Sequence, residues 1–289
     1  MRRARPLLGT LVDIRIDAEG ASEIAIAAAF AEIAHCHARM SAHSAHSDLA
    51  RIALATPGHA IRVDPRTWDV LFLAQRIAQA SNGLFDVTVA PHLAAAGYLP
   101  AMPRKACSAH WWDLECLHEQ RIRVRRPLAL DLGGIAKGYA VDRAVEVLRA
   151  QGIVSGCVNA GGDLRVFGRD AEPVHVRHPG APGTLIPLGE LQDGAIATSA
   201  PYFADASAGT TPLIDPRCGQ PAADFASVSV IAPTCAVADA LTKVVALSEA
   251  AAAPLLDRFG AQAIVIDRRG DTRTIGSICC SEDAACLPV

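Results

Sequence analysis

Aromatic residues are scarce: seven Phe, three Tyr and three Trp make up 4% of the 289-residue chain. Half of the residues are nevertheless hydrophobic, so the core is large enough but must be built from small aliphatic side chains. A cysteine pattern for disulfides or zinc is missing as well. Nine is an odd number, and no Cys-x-x-Cys occurs, which argues against a disulfide framework and a paired-thiolate zinc site and for reduced, mostly buried thiols. An excess of one charge is absent too: 27 basic residues face 30 acidic ones, for a net charge of −3. A nucleic-acid surface is excluded on that ground. No apolar run reaches membrane length, which excludes membrane insertion, and the basic start Met1–Arg5 has no apolar segment behind it that would make a signal peptide. A cytoplasmic protein is the expectation. Neither phosphate motif fits: there is no Gly-x-Gly-x-x-Gly, and no Ser or Thr follows Lys137 as a P-loop requires.

What is present is concentrated between Leu128 and Asp163. An apolar run ends on Asp131, Gly133 and Gly134 open a turn, and Lys137 stands at the head of a helix. A second apolar strand ends in Asn159-Ala160-Gly161-Gly162-Asp163. Paired glycines between a strand and a helix let the backbone approach a ligand closely. The helix start offers N–H groups and a positive dipole end to an anion such as a diphosphate. On spacing alone, a plain strand-to-helix connection accounts for the segment equally well.

The run from Asp131 through Lys137 and Gly138 to Asp142 resembles the signature of the FAD:protein FMN transferases, the ApbE family. Further blocks follow in that family's order: Leu8-Gly9-Thr10, Gly83 to Pro91, Asn159 to Asp163, Ala197-Thr198-Ser199, Ile214 to Gly219, and Ala238 to Thr242. They extend from Leu8 to about Gly270. The resemblance implies an α+β, T-fold-like mixed architecture in one domain over 1–270, with 271–289 as a cysteine-containing tail. It implies transfer of FMN from FAD to a Ser or Thr hydroxyl of a partner protein, with AMP leaving. Such phosphoryl transfer is catalysed mainly by positioning and charge neutralisation. By the same resemblance FAD is contacted by Leu8, His43, Leu84, Phe85, Asp86, Asp131, Lys137, Thr198 and Leu213. Magnesium is held by Asp239, Thr242 and the Gly134 carbonyl, and Asp239 and Lys243 are the expected catalytic residues.

The chain departs from the family pattern at several positions. Pro212 stands in place of a histidine, Cys218 of a threonine, Ala200 of a glycine, Leu8 of a methionine and His43 of a tyrosine. Lys243 occupies the place of a metal-binding threonine. Three readings of Lys243 stay open. Its ammonium replaces the metal's charge; or Thr242 supplies the oxygen ligand and Lys243 turns aside; or Asp239 and Lys243 form an ordinary i,i+4 helix pair, worth about 0.3–0.5 kcal/mol. Two alternative functions also stay open: an FAD-binding protein that has lost catalysis, and a metal-dependent FAD pyrophosphatase giving free FMN and AMP.

Periodicity predicts the elements that carry these residues. A strand over 11–17 precedes a helix opened by Ser22, with an apolar stripe of Ile24, Ala27, Ala28, Ala31 and Ala34. Asp64-Pro65 caps a helix carrying Leu71, Ala74, Ile77 and Ala78, which Ser81-Asn82-Gly83 ends. An extended run follows Asp86, whose carboxylate either orders that turn or, by the resemblance, holds the nucleotide. Strands are expected through Ile122 and Val124, through Leu128 and Leu130, and over 154–158, 174–177 and 227–232. A helix from Lys137 buries Val141, Ala144, Val145 and Leu148 and stops at Gly152. Asp239, Thr242 and Lys243 share one face of a later helix. The cluster His35, His37, His43 and His46 reads as solvated loop histidines rather than a metal site. The segment 100–120, with Trp111 and Trp112, reads as surface loop with partial helix.

Overall fold

The computed structural model describes residues 1–17, 22–100, 109–201, 212–222 and 225–277. Cys107, Cys279, Cys280 and Cys286, and with them most of the expected tail, lie outside the described residues. The chain divides into two compact units: Met1–Ala34 with Lys137–Tyr202 and Asp224–Val289, and His35–Ala136 with Phe203–Ala223.

The first unit is built on a sheet of eight strands among the described residues. In order they are Arg2–Leu7, Thr10–Ile16, Gly156–Ala160, Asp163–Phe167, Ala195–Ser199, Ser227–Ala232, Gln262–Ile266 and Thr272–Ile275. Every pairing is antiparallel. The strands run across the sheet in chain order. Ser227–Ala232 is buried at all six positions, so it is covered on both faces. The Cys235–Leu247 helix packs on it and on Ala195–Ser199. An apolar cluster joins Ile196, Ile231, Cys157 and Val166 to Val174 and Leu191. The last two belong to the hairpin Glu172–His178/Ala181–Leu191, whose first strand alternates in burial as expected for 174–177.

Two expectations for this unit are corrected. The strand expected over 11–17 is not the first, because Arg2–Leu7 already forms an edge strand paired with Thr10–Ile16. Charged and proline-containing edges of this kind do not read as strands, since their outer face has only water to satisfy. The two strands are joined by Leu8 and Gly9, with φ of 55° and 72°, the two-residue hairpin geometry that requires left-handed backbone. The Ser22–Met40 helix is also turned relative to expectation. Its buried face up to Ala34 carries Ala25, Ile26, Ala29, Phe30 and Ile33, whereas Ile24 is 70% exposed. In an alanine-rich helix several stripes compete, and the one holding Phe30, Ile26 and Ile33 removes the most apolar area from water.

In the second unit Asp64 caps the Pro65–Ala80 helix by accepting from the Arg66 N–H. Leu71, Ala74, Ile77 and Ala78 are buried as expected. Asn82 and Gly83 leave the helix with φ of 52° and 80°. The strands Ala60–Arg62, Arg121–Val124 and Leu114–Leu117 form a small sheet. Here too two expectations fail. After Asp86 the chain is not extended: Val87–Val89 is a 3₁₀ turn and Ala90–Ala95 a short helix. In the run 127–132 Leu128, Ala129, Leu130 and Leu132 are buried, but the run pairs with no strand among the described residues. Its apolar residues fill the core, while the Asp131 N–H is satisfied by the Val87 carbonyl at 2.8 Å. No helix among the described residues is long and apolar enough to cross a membrane.

Candidate functional site

The site in the first unit depends on how two helices meet. The Cys235–Leu247 helix begins after Thr234, whose side chain makes no capping bond. Its first donors are capped from far away: the Asp142 carboxylate accepts from the N–H groups of Cys235 and Ala236, both at 2.9 Å. Asp142 lies on the Ala136–Ala150 helix, four residues after Gly138. A Cβ on Gly138 would lie 2.8 Å from Ala236 N and nearer still to the Cys235 carbonyl, so only glycine permits this approach. The same contact brings Lys137 to Asp239.

Four charged side chains converge there. Lys137 Nζ pairs with Asp163 Oδ2 and stands 3.9 Å from Asp239 Oδ2. Lys243 Nζ pairs with Asp239 Oδ1 and donates to the Asp239 carbonyl at 3.0 Å. The Gly138 N–H, 3.4 Å from Asp239 Oδ2, points at the same carboxylate. Asp239 and Thr242 are fully buried and Asp163 nearly so. The Lys137 and Lys243 side chains keep 35% and 20% of their surface exposed. Thr242 donates to the Asp239 carbonyl at 2.7 Å. A hydroxyl has one proton, so Ser199, 2.7 Å away, must be the donor in the Ser199–Thr242 bond.

This geometry separates the two acids. Burial and the neighbouring Asp239 charge push Asp163 up to about 6, outweighing the two ammoniums. Burial also works against the Asp239 charge, but Lys137 and Lys243 hold its carboxyl below the usual range. For Lys137 burial opposes the charged form, and the two carboxylates more than compensate.

The donor set in this cluster does not fit a magnesium ion. Magnesium asks for oxygen ligands with waters around it, whereas the Asp239 carboxylate already carries the Lys243 ammonium and has a second one nearby. The Thr242 hydroxyl is bonded on two sides. Among the described residues no group of three or more His, Cys, Asp and Glu could hold a metal, and that covers the histidines near His43.

The profile of the ApbE family matches residues 8–265. The chain belongs to the ApbE family. Among its relatives, an FAD:protein FMN transferase of Vibrio cholerae serotype O1 is 30% identical over 227 residues, 70% of this chain and 67% of that protein. One from Escherichia coli K12 is 27% identical over 229 residues, 71% of this chain and 65% of that protein. The chain thus aligns with about two thirds of the length of these relatives. In fold it is similar to the flavin transferase ApbE of Vibrio cholerae, with a TM-score of 0.83 at 23% identity over 96% of this chain and 97% of that one. It is likewise similar to the apbe protein of Thermotoga maritima, with a TM-score of 0.80 at 25% identity over 94% and 96%. The mixed α/β architecture expected from the sequence is therefore that of the ApbE family.

The remaining residues singled out in this ApbE-family chain are placed as follows. In the first unit, Leu8 is half-buried in the hairpin turn, and Thr10 of that hairpin packs against Gly161. Two blocks far apart in sequence thereby become neighbours. Thr198 bonds Ser229 at 2.8 Å. Strand alternation sets it on the opposite sheet face from Ser199, whose hydroxyl reaches Thr242.

The second unit holds the others. His43 is exposed in a turn. Leu84 and Phe85 are buried side chains. Both Asp86 oxygens are used within the unit: Oδ1 accepts from the Thr88 N–H and hydroxyl, and Oδ2 from the Trp111 N–H at 3.0 Å. Burial still pushes the Asp86 carboxyl above its ordinary range. Asp131, Gly134 and Leu213 are half-buried. A Cβ on Gly219 would lie 2.6 Å from His92 Nδ1, so the missing side chain admits the His92 ring beside the Ile214–Gly219 block. Sequence reasoning did not single out Asp142 and Ser199 as site residues, and it only placed Asp163 at the end of the sheet. The Asp142 acid was visible inside the quoted signature, but nothing local to it pointed to a helix 93 residues away.

Proposed function

We propose that this chain is an FAD:protein FMN transferase, joining FMN to a Ser or Thr hydroxyl of an acceptor protein and releasing AMP. The observation that supports it most directly is the meeting of Lys137 with the Asp163–Asp239–Lys243 cluster in a chain of this family. In this reading the acceptor hydroxyl oxygen bonds to the flavin-side phosphorus. The bond from that phosphorus to the bridging oxygen breaks, AMP departs with the electron pair, and the hydroxyl proton passes to water. Lys137 and Lys243 hold the diphosphate oxygens by charge-assisted hydrogen bonds. Asp239 and Asp163 fix the two ammoniums, and Ser199 and Thr242 hold the helix turn that carries Asp239. No magnesium-bound step is assigned, because the donor set does not fit that ion. Asp86, Asp131, Leu8 and Leu213 are proposed to contact FAD, as the resemblance implies. The proposed compartment is the cytoplasm, where a thiol such as the exposed Cys218 stays reduced.

The test is incubation with FAD and a panel of flavin-carrier domains bearing exposed Ser or Thr, followed by intact-mass analysis and chromatography. The expected result is an FMN-sized mass increase on an acceptor with AMP in equal amount. Free FMN together with AMP would make the protein a pyrophosphatase instead. FAD bound but never consumed would make it a binding protein.

A further inference from the structure

A fully buried carboxylate keeps its charge only with a cation against it. For Asp239 that cation comes from its own helix. Lys243, one turn on, sets its ammonium on Asp239 Oδ1 and on the Asp239 carbonyl, while Lys137 approaches Oδ2. Asp163 completes the set through Lys137. Two carboxylates and two ammoniums leave the cluster formally neutral, with no uncompensated negative charge to attract a divalent ion. Such an ion at Asp239 would have to expel Lys243 or lie against two like charges.

The same two lysine side chains are only partly buried. Each has three donors. Lys243 commits two to Asp239, and both side chains retain exposed surface. Donors anchored by buried acids, with a hydrogen bond to spare, suit the oxygens of an anionic diphosphate. We infer that Lys243 is a built-in counter-cation of this site, gripping the diphosphate with Lys137 so that no divalent metal is recruited. This rests on the diphosphate-binding reading above and assigns it a metal-independent mode.

Two measurements on the full chain test it. The first is titration of the protein with Mn²⁺ alone, followed by electron paramagnetic resonance, for wild type, Lys243→Thr and Lys243→Arg. Wild type and Lys243→Arg should bind no stoichiometric ion, and Lys243→Thr, which exchanges the ammonium for a hydroxyl oxygen, should gain one. The second is FAD binding by flavin fluorescence, in chelator and in magnesium. Wild-type affinity should be the same in both, whereas Lys243→Thr should weaken at least about tenfold in chelator and recover with magnesium. One Mn²⁺ bound stoichiometrically by wild type, or a comparable loss of wild-type FAD affinity in chelator, overturns the inference even if the variants misfold. Failure of every form to bind FAD removes the diphosphate reading, and with it the grip assigned to Lys243. The manganese titration then still decides whether Lys243 keeps a divalent ion out.

Discussion

Asp142 caps the helix that begins at Cys235, accepting two backbone hydrogen bonds at 2.9 Å across more than ninety residues of chain. Its Oδ1 also takes Arg165 Nη1 at 2.7 Å. One buried carboxylate therefore ties a helix start, a strand and a second helix together, and Asp239 rides on the helix it caps. Asp142→Ala removes the acceptor from two helix-start donors and strands a mostly buried guanidinium. Breaking a buried pair in this way typically costs about 3–5 kcal/mol, and the expected result is a loss of that order in urea unfolding. Asp142→Asn keeps one oxygen and should lose visibly less.

Gly138→Ala is the complementary test of the same contact. The added methyl group meets the backbone of Cys235 and Ala236 rather than a flexible side chain, so the helices must move apart. Overpacking of this kind costs about 1–3 kcal/mol, against a small helix-propensity gain from alanine. The unfolding midpoint should fall although the substitution favours helix locally. A raised midpoint would show that the two helices are not in contact at Gly138.

Local chemistry made the elements legible and long-range chemistry did not. The Pro65–Ala80 helix was readable because its cap, its proline and its apolar spacing all lie within twenty residues. Asp239, Thr242 and Lys243 were readable as one face because helical spacing is a local rule. The phase of the Ser22–Met40 helix was not, since alanine is indifferent to which side is buried and Phe30 decides only once a core exists. Leu128 and Leu130 read as a strand because buried apolar runs look alike whether or not a neighbour pairs with them. Asp142 and Asp163 acquired their roles only from partners on other elements.

Ser199 and Thr198 are adjacent hydroxyls with opposite assignments. Ser199 donates to Thr242 beside Asp239, and Thr198 bonds Ser229 on the other face of the sheet. Ser199→Ala should weaken FAD binding and Thr198→Ala should not, although each loses one hydrogen bond worth about 0.5–1.5 kcal/mol of stability. Fluorescence titration with FAD separates the two, and equal effects on affinity would mean that strand alternation does not sort these side chains.

Asp163 predicts an unusual dependence on pH. Its carboxyl titrates at about 6 in the folded chain against 3.8 ordinarily, raised by burial and by the charge of Asp239, with Lys137 and Lys243 opposing. Between those values the native state binds more protons at this position than the unfolded state does, so its contribution to stability falls as pH rises through that interval. Asp239 runs the other way: its lowered carboxyl contributes stability above its ordinary value, and that stability is lost as pH falls through the folded one. Lys137, raised by the two carboxylates, stays charged throughout the interval, and the buried Cys235 thiol, pushed well up by burial, stays protonated. Comparison with Asp163→Asn isolates the effect, because the amide does not titrate while the rest of the cluster remains. The stability of wild type relative to the variant should decline from about pH 4 to about pH 6 and then level off. Urea unfolding of both proteins at several pH values across that range measures it. A difference that grows with pH instead would mean that the Lys137 ammonium outweighs burial, placing the Asp163 carboxyl below its ordinary value.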